Sequence, residues 1–446
     1  MIRIFATLIL ACGLVSPAFA VTVKEVKSPR GLTAYLSEDH TSPVIAISFG
    51  FKGGTALDPE AKLGLSNLAA STLDEGAGDL DSFAFQSALE DRAITLRYSA
   101  SDDAISGTLV TTAPNAAKAF ELLHLSLTRP RFDAEPLERM RRQILVGIAS
   151  RTENPNFVAR QKLYQTMFGA HPYARDDDGT AATVKAISAD DLRAWVKSRF
   201  GRDRLIIAAS GDITAADLGK AMDMIFAELP ATTGLNVMLA PATVAAKGQT
   251  VRVEKNLPQS VIYLGQKGLK RTDPDWYAAT LVDYVLGGGS FSSRLMDEVR
   301  EKRGLAYGVS TALAPYDAGA AMICSVATRA DQAETSLALI RSEWKKIRDE
   351  GPTETELQGA KDYMIGAWPM RFTSTRAIAD MLYAVQRDHL GIDYIDKRNS
   401  MLEAVTLDQA KRVARTLYDP DGLSVVVVGP TVKGAAPAGK PAAQAP

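Results

Sequence analysis

The feature that most constrains the fold of this sequence is an internal duplication. The apolar segment that begins at Val44 (VIAISFG) is echoed by the segment that begins at Val261 (VIYLG), an offset of 217 residues. Further along, residues 190–211 and 408–429 repeat each other at an offset of 218. An offset that stays nearly constant over such distances indicates two copies of one structural unit. We therefore expect two halves with the same fold.

The order of apolar patterns is also the same in both halves. Each half is predicted to contain an alternating strand, two helices, two further strands and then long amphipathic helices. Strands that are grouped, rather than alternating strictly with helices, favour an α+β fold in which a mainly antiparallel sheet is packed by helices. The predicted strands span 44–51, 94–99 and 104–111 in the first half, and 260–266, 306–314 and 318–327 in the second. The predicted helices before the second strand of each half span 61–72 and 80–91, and 276–286 and 291–302.

The duplication and the local composition set the predicted domain boundaries. Residues 21–235 form the first domain, 236–249 a linker rich in proline and small residues, and 250–430 the second domain. Residues 431–446 cannot bury apolar surface and are predicted to be a disordered tail. A chain of 446 residues is also too long for one hydrophobic core.

The N-terminal segment has the pattern of a secretory signal peptide. Residues 1–20 contain Arg3, an apolar run and a small-residue cleavage pattern that ends at Ala20. The apolar run is shorter than the roughly 20 residues that span a bilayer, so we expect cleavage and no transmembrane anchor afterwards. Acylation of Cys12 in a lipoprotein is an alternative. After cleavage Cys324 is the one remaining cysteine, and its apolar neighbours predict a buried structural thiol.

The overall charge argues against one class of function. The chain has 51 basic and 52 acidic residues, which gives a formal net charge of −1. Such a chain has no global field that would attract nucleic acid or anionic lipid. We therefore expect no nucleic-acid partner.

One long motif connects the sequence to a known family. Residues 288–310 (GGSFSSRLMDEVREKRGLAYGVS) closely resemble the second-half signature of the insulinase, pitrilysin and processing-peptidase family of zinc metallopeptidases. In the first half, Gly64-Leu65, residues 152–155 (TENP) and residues 168–173 (FGAHPY) also resemble the family. The resemblance extends from about Val26 to Gly429. It implies two homologous α/β-sandwich domains in a clam-shell arrangement, although a fold does not by itself imply an activity.

The zinc motif of that family is missing from this sequence. Active members carry H-x-x-E-H on a helix of the first half, where two histidines bind zinc and the glutamate acts as general base, and a second glutamate follows about one long helix later. The matching positions here are Asn67, Ala70 and Ser71, and Gly147 for the last ligand. We therefore expect no metal and no catalytic residue in this chain.

Other residues offer no obvious replacement for the zinc ligands. No two of the four histidines have ligand spacing on one element, and each is interpreted as a surface or satisfied core residue. The carboxylates of Asp74-Glu75 and of residues 176–178 lie beside glycines and are interpreted as solvated loops. A serine nucleophile at Ser66 or Ser71 has no histidine or lysine base placed near it by the sequence.

A substrate-binding pair of the family is retained. Arg300 and Tyr307 match the arginine and tyrosine that in active relatives reach the substrate at the zinc, where they orient the peptide carbonyl and stabilise the oxyanion. Arg300 is predicted in the last turn of a helix that Gly304 stops, with Tyr307 at the start of the next strand. The resemblance implies a non-catalytic subunit of a periplasmic heterodimer that degrades unfolded peptides, with zinc in a homologous partner.

Two alternatives stay open at this point. In the first, the pair has only a structural role, with Arg300 paired to Asp297 or Glu301 and Tyr307 in the core. In the second, the whole chain is an inert scaffold or peptide-binding protein of the same fold, as in respiratory-complex core subunits that resemble this family.

Overall fold

The structure, a computed structural model, describes residues 21–245 and 247–430. Over this range the chain forms two sheets packed by helices, which confirms the α+β prediction. In the described ranges, no helix combines the length and the apolar character needed to cross a bilayer. The predicted signal peptide, the alternative at Cys12 and the predicted tail lie outside the described residues.

The first sheet has six strands in the order β1-β2-β6-β3-β5-β4. The β2–β6 pair is parallel and the other pairs are antiparallel. Its strands are β1 (Lys24–Lys27), β2 (Thr33–Glu38), β3 (Val44–Lys52), β4 (Thr95–Ala100), β5 (Ala104–Thr112) and β6 (Leu205–Gly211).

The second sheet repeats this topology. Its order is β7-β11-β8-β10-β9, again with one parallel pair, β7–β11. If β1 is set aside, the two sheets match strand for strand, so the prediction that both halves share a fold is confirmed. The strands are β7 (Thr250–Glu254), β8 (Gln259–Lys267), β9 (Ala306–Pro315), β10 (Ala320–Arg329) and β11 (Ser424–Gly429).

Helices cover both faces of these sheets. In the first half they are α1 (Leu65–Ala70), α2 (Ser82–Glu90), α3 (Ala116–Thr128), α4 (Ala134–Glu153), α5 (Pro155–Phe168), α6 (Ala181–Lys185), α7 (Ala189–Arg199) and α8 (Ala215–Phe226). In the second half they are α9 (Trp276–Asp283), α10 (Ala333–Glu350), α11 (Glu354–Gly366), α12 (Thr375–Arg387), α13 (Tyr394–Glu403) and α14 (Leu407–Leu417). Each half has its own buried core between its sheet and its helices, and Cys324 is buried in the second, as predicted.

The helix predicted over 61–72 is shorter than expected. Gly64 takes a left-handed conformation (φ +89°), so the regular helix α1 begins only at Leu65. The backbone of Asp178 approaches Gly64 so closely that a side chain at this position would collide with it. This contact between segments distant in the sequence fixes where the helix starts.

The two halves exchange one helix each. Helix α5 of the first half packs on β8 and β11 of the second sheet, and α12 of the second half packs on β3 and β6 of the first. Both helices lie close to a glycine of the opposite sheet, because Met167 occupies the space over Gly265 and Tyr383 the space over Gly50. The exchange joins the two halves through buried apolar contacts.

A polar contact between the halves adds to this exchange. The Asp103 carboxylate, in the β4–β5 turn, accepts a hydrogen bond of 2.6 Å from the Tyr173 hydroxyl and one of 3.0 Å from the Asp317 backbone N–H. The same Tyr173 hydroxyl accepts from the backbone N–H of Ala318 at 2.9 Å. The hairpin turn of each half is thus tied to the turn of the other.

Candidate functional site

The segment that carries the family signature is held by irregular helical turns. Helix α9 ends at the buried Asp283 and continues as a π-helical turn over Tyr284–Gly288. After a short break, a second π-helical turn spans Met296–Glu301. The predicted helices 276–286 and 291–302 are therefore present but partly in the π form, which is frequent at functional sites. The side chains of Met296 and Val299 are buried and fix the second turn to the core.

Gly304 ends this turn as the sequence predicts. Its φ is +57°, and its backbone N–H donates to the Arg300 carbonyl at 2.8 Å. The chain then enters β9, where Tyr307 is the second residue. The side chain of Tyr307 is 86% exposed, so the alternative that Tyr307 is a core aromatic is wrong.

Arg300 lies close to two aromatic rings. Its guanidinium carbon is 4.5 Å from the centre of the Phe291 ring and 5.2 Å from the centre of the Tyr307 ring. The Arg300 side chain is 27% exposed, and the Phe291 ring is 64% exposed. A guanidinium held over aromatic rings can still donate hydrogen bonds through the N–H groups at the edge of its plane.

The neighbouring charges are paired among themselves. The Lys302 ammonium lies 2.7 Å from both Asp297 and Glu298, and Arg303 also pairs with Glu298. Arg300 contacts only Glu301, at 3.4 Å, among the carboxylates of the described residues. The alternative that Arg300 has a structural ion pair is therefore confirmed for Glu301 but not for Asp297. A single exposed ion pair of this kind contributes little stability.

A groove runs beside Tyr307 on the open face of the second sheet. It has a volume of about 470 Å³ and includes Asn156 at the start of α5. Most of its lining consists of small residues of β9 and β10, including Gly308, Ser310, Ser325 and Ala327. An extended peptide held at Arg300 and Tyr307 would have room for side chains along this groove.

The four zinc-site positions carry no set of metal ligands. Asn67 and the buried Ala70 lie on α1, and Ser71 directly follows it with its hydroxyl donating to the Asn67 carbonyl at 2.8 Å. Gly147 is on the exposed side of α4, with open space around it. An amide, a methyl, a hydroxyl and a hydrogen do not match the nitrogen, sulfur and carboxylate ligands that zinc requires. Within 21–245 and 247–430, no three His, Cys, Asp or Glu side chains are grouped to hold a metal ion.

A guanidinium occupies the neighbourhood of the lost zinc site. The Asn67 amide donates to Asp178, and Asp178 in turn pairs with Arg151, one turn beyond Gly147 on α4. Arg151 also pairs with Asp176 at 2.8 Å, with only 17% of its side chain exposed. The chain thus supplies its own positive charge where active relatives would place a cation.

Asp74-Glu75 and residues 176–178 were interpreted from the sequence as solvated loops, and this interpretation is wrong. Burial raises the pKa of Asp176 to about 6, and Arg151 opposes that rise. Burial also raises the pKa of Asp74 to about 6, and the neighbouring Glu75 pairs with Arg139 at 2.5 Å. These carboxylates tie loops to the long helix α4, a contact between distant segments that turn-like sequence patterns could not indicate.

The serine alternative gains no support from the structure. Ser66 is completely buried, and its hydroxyl donates to the Asp58 carboxylate at 2.5 Å while accepting from the Trp195 indole at 2.9 Å. Ser66 therefore belongs to a buried network at the start of α1.

Each of the four histidines contacts another protein group. The partners are Asp212 for His40, the Ile225 carbonyl for His124, the Ala240 carbonyl for His171 and Lys52 for His389.

The retained pair and the lost zinc site are separate in this chain. A cavity of about 310 Å³ beside Asn67 is lined by the start of α5 and by residues 176–178, but neither Arg300 nor Tyr307 lines it. Tyr307 lines instead the groove on the second sheet. The groove and the cavity meet at the start of α5, where Asn156 lines the groove and Phe157 lines the cavity.

Known proteins resemble this chain over most of its length. Residues 186–364 match the family described as the peptidase M16 inactive domain. The crystal structure of a peptidase M16 inactive domain from Pseudomonas fluorescens aligns with a TM-score of 0.87 and 28% identity, covering 92% of this chain and 98% of that one. The chain is therefore similar to the peptidase M16 family. The resemblance carried by residues 288–310 is thus confirmed.

Two further proteins that resemble this chain differ in what their names say. A non-peptidase homolog, YmxG, from Helicobacter pylori is 28% identical over 375 residues, which are 83% of this chain and 85% of the relative. An uncharacterized zinc protease of Streptomyces coelicolor is 28% identical over 68% of this chain and 67% of its own length. With four zinc positions lost, the coarser part of the functional prediction holds: the chain is an inactive, peptidase-like homologue of M16 proteins.

Sequence reasoning missed two residues of these sites. Phe291 is inside the signature, but nothing in its spacing indicates that it stacks on Arg300. Arg151 precedes the TENP segment, and its contact with Asp178 depends on how α4 meets a distant loop. A basic residue four positions after the lost ligand at Gly147, on the same helix face, is the one signal that pointed to it.

Proposed function

We propose that this chain is the non-catalytic, substrate-binding subunit of a heterodimeric zinc metallopeptidase that degrades peptides in the periplasm. In this arrangement a homologous subunit with an intact H-x-x-E-H motif holds the zinc. Arg300 and Tyr307 of this chain bind the peptide at that metal. The expected substrates are unfolded peptides, because a closed chamber between two such chains would exclude folded proteins.

The observation that carries the proposal is the exposure of Tyr307 beside a stacked Arg300. A tyrosine with a packing role would be buried, since its ring contributes most when it is removed from water. Here the fold instead holds the phenol and the guanidinium at the surface, with irregular turns on one side and a left-handed glycine on the other. This chain has the exposed pair but no zinc site of its own. The arrangement therefore favours a role for Arg300 and Tyr307 at the zinc site of another chain.

The chemistry of the pair fits a peptide carbonyl. The guanidinium offers several N–H donors in a fixed plane, and the phenol adds one O–H donor. Donors held in place before the reaction stabilise the negative charge that forms on a carbonyl oxygen during attack by water. The same donors orient the peptide backbone in the ground state. The groove of small residues beside Tyr307 leaves space for the adjoining peptide segment.

The test is co-expression with a homologous subunit that carries an intact H-x-x-E-H motif, followed by cleavage of an unstructured peptide. We expect cleavage to require both chains and to fall roughly 100-fold in Arg300→Ala, with a smaller loss in Tyr307→Phe. Matched controls are Arg142→Ala, an exposed arginine of α4, and Tyr363→Phe, an exposed tyrosine of α11. Both controls should keep the wild-type rate.

Two outcomes would contradict the proposal. Equal rates for wild type, Arg300→Ala and Tyr307→Phe would make the pair a relic and favour the inert scaffold. Cleavage by the partner alone at the full rate would remove any need for this chain. Peptide binding by the purified chain, measured by fluorescence anisotropy, separates a binding protein from a scaffold.

A further inference from the structure

The Phe291 ring has a position that packing alone does not explain. It is 64% exposed, and it takes part in none of the aromatic ring pairs found in the described residues. Its clear partner is the Arg300 guanidinium, at 4.5 Å from the ring centre. An aromatic side chain held in water against one charged group contributes little to the core.

The backbone before Phe291 is strained in a way that sets the position of the ring. Ser290 has a φ of +50°, in the left-handed region that non-glycine residues rarely adopt. The turn is closed by a hydrogen bond of 3.1 Å from the Ser293 N–H to the Ser290 carbonyl and by one of 2.7 Å from the Ser293 hydroxyl to the same oxygen. Strained backbone that persists among such contacts is typical of functional segments.

We infer that Phe291 is a positioning residue of the substrate site, which acts by holding the Arg300 guanidinium in the plane from which it binds peptide. This inference rests on the proposed function and names a third member of the same site. The Phe291 and Tyr307 rings both lie against the guanidinium, and the Phe291 ring is the nearer of the two. With both rings present, Arg300 does not lose side-chain freedom when the peptide arrives, so less of the binding energy is spent on ordering it.

The alternative for an exposed aromatic ring is direct apolar contact with the peptide. The two roles differ in what they require. A positioning role depends on Arg300, whereas apolar contact continues when Arg300 is removed. A planar ring can stack on a guanidinium, so Phe291→Tyr should preserve positioning and Phe291→Leu should not, although leucine keeps most of the apolar surface.

The test uses the two-chain peptidase and the variants Phe291→Ala, Phe291→Leu, Phe291→Tyr, Arg300→Ala and the double variant Phe291→Ala/Arg300→Ala. We expect kcat/KM to fall about fivefold in Phe291→Ala and Phe291→Leu, as suits a cation–π contact at an exposed site. Phe291→Tyr should keep kcat/KM at the wild-type value. In the Arg300→Ala background, removing Phe291 should have no further effect.

A measurement on the chain alone checks the stacking without any activity. With ¹⁵N-labelled arginine, the Nε–H resonance of Arg300, assigned by its loss in Arg300→Lys, should shift in Phe291→Ala and stay in place in Phe291→Tyr. Thermal unfolding should be unchanged in all Phe291 variants, because the ring is exposed.

The outcomes separate this inference from the proposed function. If Arg300→Ala cleaves peptide as well as wild type, the proposed function fails first. If Arg300→Ala is impaired but Phe291→Ala is not, the positioning role is wrong. A full effect of Phe291→Ala in the Arg300→Ala background, or rescue by leucine, would assign Phe291 to apolar peptide contact instead. Loss of heterodimer formation in Phe291→Ala would assign it to the subunit interface.

Discussion

Replacing the buried Asp283 by asparagine should stabilise the protein at neutral pH. Asp283 ends helix α9 beneath the glycine-rich turn that leads to Phe291, and its Oδ1 atom has no hydrogen-bond partner among the described residues. Burial raises the pKa of this carboxyl from 3.8 to about 6, partly offset by a hydrogen bond from Thr311. Its negative charge also contributes to the raised pKa values of Cys324 and Tyr418, where burial is the main cause.

The magnitude follows from the difference in pKa between the folded and unfolded states. The folded pKa lies above the unfolded value, so the native protein binds more protons between about pH 4 and pH 6, and stability falls as the pH rises through this range. About two pKa units correspond to about 3 kcal/mol when the fall is complete. Asparagine keeps the shape of the side chain and cannot ionise, so the Asp283→Asn variant escapes this loss.

Urea unfolding of wild type and Asp283→Asn, followed by the fluorescence of the buried Trp344, gives the difference at each pH. This difference, variant minus wild type, should grow by about 2 kcal/mol from pH 4.5 to pH 7 and then stay level. Any effect of the amide that does not depend on pH shifts the whole curve and leaves its slope intact. Asp79→Asn, at an exposed position, is the control and should give a flat line. A flat line for Asp283→Asn would refute the reasoning.

Two further changes test other parts of the structure. Arg151→Met should cost about 2 kcal/mol of unfolding free energy, because it removes the cation that pairs with Asp176 and Asp178. The loss should be larger at pH 8 than at pH 5, where the raised pKa of Asp176 lets it take up a proton. Chemical denaturation at both pH values checks this, with Arg142→Met as the control; equal losses at both would argue against the charge network. Gly304→Ala should cost about 1 kcal/mol, since its φ of +57° strains any other residue while the space around it is open. A melting curve identical to that of wild type would show that the turn relaxes without cost.

The six strands predicted from the sequence agree with the structure to within about two residues, whereas β1, β2, β6, β7 and β11 were not predicted. For example, the strand predicted over 260–266 is found as Gln259–Lys267, and that over 104–111 as Ala104–Thr112. Apolar alternation and the duplication carry this information, because each half supports the interpretation of the other. The predicted domain boundaries stay a prediction, since the two helices α5 and α12 each pack on the opposite half.

The fine structure of the candidate site was less accessible from the sequence. Periodicity marked a helix over 291–302 but could not separate an α-helical turn from a π-helical one, because both bury the same apolar side chains. The identity of Arg300 and Tyr307 followed from the motif, whereas the stacking on Phe291 depends on the left-handed Ser290. The charge network of Arg151 required the tertiary contact between α4 and the loop at 176–178.

The exchange of α5 and α12 bears on how such a chain can evolve. Catalytic side chains of the first half can be replaced one by one, since their loss leaves the backbone in place. Deletion of the whole first half would be more damaging, because it would remove α5, which packs on the sheet that contains Tyr307. The zinc ligands can therefore be lost in evolution while the first half is kept, because the first half supports the sheet of the second.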